Sequence, residues 1–77
     1  MISGAQIRAG RALLNWSTAV LAKRCRMTQL AILEAEGADG IPDIATEQLA
    51  AITAALNAGG VELIGTVGVK LGGSGPS

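Results

Sequence analysis

The chain has 77 residues, room for one small domain, with six Lys+Arg against six Asp+Glu and a formal net charge of zero. Hydrophobic types make up 49% of it but aromatics only 1%, so the 14 Ala, 9 Leu and 7 Ile must build a close-packed, mainly helical core. The lone Cys25 forms no internal disulfide, and the absence of His removes imidazole bases, ligands and proton switches, which excludes self-contained hydrolase or zinc chemistry.

Ser3 is placed to cap a first helix over residues 4–15. Ile7, Leu13 and Leu14 with Ala5, Ala9 and Ala12 supply its apolar side, and Arg8 and Arg11, three apart, are expected to share an exposed face. Gly10 inside that helix costs about 1 kcal/mol relative to Ala, which points to close packing there. Ser17 caps a second helix, 18–25, with Val20, Leu21 and Ala22 as core candidates, and Trp16 before the cap is set to pack back as a staple. After a break at Arg26-Met27, Thr28 caps a third helix, 29–36, whose inward residues are Ala31, Ile32 and Ala35, with Gly37 as its stop. Residues 37–45 read as a loop with room for one short helical turn. Thr46 caps the longest helix, 47–58, in which Leu49, Ile52 and Leu56 form a core stripe ended by Gly59-Gly60.

The hydrophobic period then changes from 3.6 to 2. Val61–Ile64 and Val67–Leu71 flank Gly65-Thr66 and read as a β-hairpin, which must dock on the helices or pair with another chain because a lone hairpin is marginal in water. Residues 1–71 are therefore expected to form a single domain and residues 72–77 a disordered tail.

The neutral total hides a segregation. Residues 1–33 carry Arg8, Arg11, Lys23, Arg24 and Arg26 and no acid, whereas residues 34–62 carry Glu34, Glu36, Asp39, Asp43, Glu47 and Glu62 and no base. The start of the chain lacks a basic segment followed by an apolar run, and nothing approaches a membrane span, so a cytoplasmic protein without membrane attachment is expected.

Two short helices joined by a tight turn at residues 17–36 match the spacing of a helix-turn-helix. Ile7-Arg8-Ala9, Arg11-Ala12-Leu13-Leu14, Trp16-Ser17, Leu21-Ala22, Thr28, Ile32 and Glu36 resemble the small Cro/C1-type, lambda-repressor-like regulators of bacteria. Leu49, Ile52, Ala54-Ala55-Leu56, Gly60–Ile64 and Gly68–Leu71 are similar to the closing helix and hairpin of one compact subgroup. The resemblance implies a mainly α, four- or five-helix helix-turn-helix domain with a C-terminal β-hairpin, and a transcriptional regulator without catalytic residues, cofactor or metal.

The chain departs from that family where DNA is read. Thr18 stands where a phosphate-binding Gln is usual, and Arg26 where the turn usually has Gly, so a reshaped turn is expected. The base-reading positions fall on Gln29, Leu30 and Glu34, with Leu33 beside them. Gln29 suits adenine and Leu30 at most a thymine methyl, while Glu34 is repelled by phosphate, so this helix neutralises DNA poorly. Gln29, Leu30, Leu33 and Glu34 look better suited to a protein groove. Arg8, Arg11, Ser17, Thr18, Lys23, Arg24 and Arg26 remain as candidate contacts to phosphate or to an acidic partner.

Some Cro/C1-like proteins are antiactivators, which bind and silence a transcription activator. In size and in its altered third helix, the chain is similar to the QseM-like antiactivators of rhizobial mobile elements. The favoured expectation is thus an antiactivator, acting as monomer or homodimer, whose partner is a transcription activator protein. The alternative is a dimeric repressor binding duplex DNA, and a third reading is an antitoxin. Trp16 is expected as a core anchor and Cys25 as a small buried hydrophobe.

Overall fold

The computed structural model describes residues 1–65 and 68–72. Four helices, α1 (Gly4–Leu13), α2 (Thr18–Cys25), α3 (Gln29–Glu36) and α4 (Thr46–Gly59), precede an antiparallel hairpin of β1 (Val61–Ile64) and β2 (Gly68–Leu71). Residues 73–77 of the expected tail, Thr66 of the expected turn and Val67 of the expected second strand lie outside the described residues. No helix among the described residues is long and apolar enough to cross a membrane.

Three expected N-caps form. The Ser3, Ser17 and Thr28 hydroxyls accept from the N–H groups of Gln6, Val20 and Ala31, each satisfying a donor that a helix start otherwise leaves unpaired. Thr46, in contrast, is the first residue of α4 and not its cap. Ala45 holds the cap position without a side-chain bond, and Gln48 Oε1 accepts from its N–H at 3.3 Å.

α1 stops two residues short of expectation. Asn15 adopts a left-handed conformation (φ 57°), so its N–H reaches the Ala12 carbonyl while that of Trp16 reaches Arg11. Arg26 repeats this at the end of α2, with φ 57° and bonds from Arg26 N to Lys23 O and from Met27 N to Ala22 O. The turn before α3 therefore has the left-handed geometry that glycine favours. An arginine takes it at a cost of about 1 kcal/mol.

The core collects Ile2, Ile7, Leu21, Ile32, Leu49, Ile52, Leu56 and Val61, with Cys25 buried as expected. Several expectations fail at its rim. Val20 is 37% exposed and Ala31 only half-buried, whereas Leu21 and Ile32, expected beside them, are turned fully inward. Ala12 and Leu13 are exposed in the last turn of α1, where Ile7 and Gly10 hold the inward side. The loop 37–45 contains no helical turn; Gly40 accepts from the Gly4 N–H at 2.8 Å and Pro42 is buried.

The hairpin docks on the helices. Val61 is buried and Leu63 and Val69, paired across the strands, pack on the core. Gly10 permits this contact: a Cβ there would lie 3.2 Å from a Leu56 methyl and 3.4 Å from one of Val61. Gln6, fully buried, completes the clamp. Its amide nitrogen donates to the carbonyls of Gly65 and Gly68, both at 3.0 Å, and its oxygen accepts from the Ser3 N–H.

Candidate protein-docking face

α3 is apolar on two sides. Ile32 and Ala35 face the core, and Glu36 joins them; the opposite side carries Leu30, 64% exposed, and Leu33, 50% exposed. Leu30 lies three residues from Leu33 and four from Glu34, so the three share one stripe. A helix with apolar residues on both sides is expected to have both covered, and the fold covers only one. Thr28 fixes where this helix starts, and the burial of Ile32 fixes its rotation, so Leu30 and Leu33 must point outward.

Gln29 stands at the edge of this stripe. Its amide donates to the Thr18 hydroxyl at 2.7 Å and ties the starts of α2 and α3 together. Thr18 thereby takes a structural role at a position expected to contact phosphate. Ser17 spends its hydroxyl on capping α2.

The expected basic surface divides. Arg11 does not share an exposed face with Arg8: its guanidinium forks onto the buried Glu36 carboxylate, Nε to Oε2 at 2.7 Å and Nη2 to Oε1 at 3.0 Å. Nη1 also donates to the Trp16 carbonyl, and the bonds to Glu36 raise the guanidinium's already high pKa. Arg8 is exposed and donates to the Glu36 carbonyl. Arg24 lies over the half-buried Trp16 ring at 4.4 Å from its centre, a cation–π contact that holds the ring where it packs on the core. Lys23 and Arg26 are exposed and make no ion pair among the described residues.

The acids divide likewise. Glu36, only 5% exposed, is neutralised by Arg11 across 25 residues of sequence, whereas Glu34, Asp39, Asp43 and Glu47 are exposed and form no ion pair among the described residues. Glu34 sits in the last turn of a helix that has no base there, an unfavourable end for a carboxylate. Burial pushes the Cys25 thiol up, which keeps it protonated and unreactive near neutral pH.

Residue-by-residue reading missed Gln6 and the Arg11–Glu36 pair, although each left a local signal. Ser3 followed three residues later by Gln6 is a capping-box spacing, and both halves of that box form. For Glu36, the signal was an acid at a helix C-terminus, which calls for a cation from elsewhere. No protein-family model matches the chain, and no curated protein matches it in sequence.

Proposed function

We propose that the protein is a transcriptional regulator of helix-turn-helix type, with α2, the turn at Arg26–Thr28 and α3 as the motif, and that it acts by binding a protein. In this reading α3 inserts its Leu30–Leu33–Glu34 stripe into a groove of a transcription activator and silences it, with Gln29 at the rim. The observation that carries the reading is the exposure of Leu30 and Leu33 beside an acid, on a helix that has no base of its own. Such a surface offers apolar anchors to a protein groove and repels a phosphate backbone.

The test is affinity capture from lysate of the source cells with wild type and the Leu30→Lys, Leu33→Lys double variant, the retained proteins being identified by mass spectrometry. A transcription activator held by wild type and lost by the folded variant supports the proposal. Retention by both places the contact elsewhere.

Exposed Arg8, Lys23, Arg24 and Arg26 favour a second reading, a repressor on duplex DNA. It requires a band shift with promoter DNA that weakens steeply as salt rises; no shift at low salt rejects it. The Gln29–Thr18 bond is compatible with it, since the amide keeps its second N–H and its oxygen for a base edge.

A further inference from the structure

The charges that flank α3 along the chain have an order that fits a second copy of this chain. Arg26 stands at the N-terminal end of α3, with Lys23 one turn earlier at the end of α2; Glu34 stands at the C-terminal end, followed by Asp39 in the loop. Leu30 and Leu33 lie between them. All six are exposed, and none of the four charges has an ion-pair partner among the described residues. The order along the chain through α3 is therefore base, apolar pair, acid.

A two-fold axis places a surface against its own copy reversed, so residue i meets j while j meets i. For a face ordered base–apolar–acid, that reversal brings each base to the other chain's acid and the leucines together in the middle. It also sets two helix dipoles antiparallel. A face with one sign of charge throughout cannot do this, and a neutral apolar face gains no register from it.

We infer that the protein self-associates through α3, packed antiparallel on α3 of a second copy. Leu30 and Leu33 form the dry centre, and Arg26 and Glu34 pair reciprocally at its two ends. This face is the one assigned above to an activator, but self-association does not depend on that assignment. If both hold, the dimer hides the docking stripe and the monomer is the form that captures the activator. Eight residues of helix bury too little to make the dimer permanent, so it is weak and concentration-dependent.

Sedimentation equilibrium tests this on the full chain from ~10 µM to ~1 mM, a range that spans weak association. Wild type is expected to rise from 7.7 kDa toward twice that mass. Glu34→Arg and Arg26→Glu each set like charges against each other and weaken association about tenfold or more. An equimolar mixture of the two variants restores it, because one chain then offers two bases and the other two acids. Circular dichroism of each variant confirms that it is folded.

Wild type at 7.7 kDa throughout overturns the inference, as does a dimer unchanged in both variants or a mixture that stays monomeric. A monomer whose Leu30→Lys, Leu33→Lys variant loses an activator overturns it too and assigns the face to the external protein alone. A monomer that shifts duplex DNA in a salt-dependent way overturns it in favour of nucleic acid. Self-association with no activator captured leaves the inference standing and removes the antiactivator reading.

Discussion

α3 and α4 are built from the same few residue types and treat them in opposite ways. α4 spaces Leu49, Ile52 and Leu56 along one side and buries all three; its exposed positions, among them Ala50, Ala54 and Asn57, carry no large apolar side chain. α3 buries Ile32 and Ala35 and leaves two of its largest side chains, Leu30 and Leu33, in water. Leucine content therefore says little about burial; the position of each leucine relative to the residue that fixes the helix's rotation decides it. Where the fold leaves large apolar groups uncovered in a stripe, their reason for being there has to be sought outside the folded chain.

The sharpest way to break this contrast is to truncate one leucine on each helix. Leu56→Ala removes a fully buried side chain at the junction of α1, α4 and β1 and should cost about 3 kcal/mol in urea unfolding. Leu30→Ala should change stability by less than about 0.5 kcal/mol. Equal losses at the two sites mean that Leu30 is a core residue and the docking face does not exist.

A second effect of similar kind concerns the charges. Arg11→Ala leaves the Glu36 carboxylate buried without its fork of hydrogen bonds, and is expected to destabilise the fold by about 2–3 kcal/mol, less than a fully enclosed pair because Arg11 is partly solvated. Glu34→Ala should be neutral or slightly stabilising, since it removes an unpaired acid from a helix C-terminus. Urea midpoints of the two variants separate the acid that holds the fold from the acid that is free to hold a partner.

The smallest effect lies in the turn ahead of α3. Arg26→Gly relieves the left-handed strain and should raise stability by up to about 1 kcal/mol, offset in part by glycine's greater freedom in the unfolded chain. The same change should weaken any self-association that uses the Arg26 charge. A more stable protein that associates less separates the local backbone cost at this position from its role at the surface.

Much of the architecture was legible in the order of residues. Ser3, Ser17 and Thr28 announce helix starts because a capping hydroxyl acts within three residues, and Leu49, Ile52 and Leu56 announce a buried stripe because periodicity is local. The outward direction of Leu30 and Leu33 followed from the same reasoning, once Ile32 and Ala35 were taken as the inward pair. What was not legible depends on contacts between distant residues. Nothing near Gln6 shows that it will clamp a hairpin 59 and 62 residues away, and nothing near Arg11 shows that its charge will be spent on Glu36. Val20 was misplaced because both it and Leu21 are apolar, and only the packing of α2 on α3 and α4 decides which one is covered.

The central claim is that the outward stripe of α3 is a protein-docking surface that the fold itself does not need. The most direct test is to introduce Leu30→Lys and Leu33→Lys together and measure, on the same preparation, the urea midpoint and the capture of a transcription activator from lysate. An unfolding midpoint close to wild type, together with loss of the captured activator, is the predicted result. Retained capture by the folded variant, or collapse of the midpoint, contradicts it.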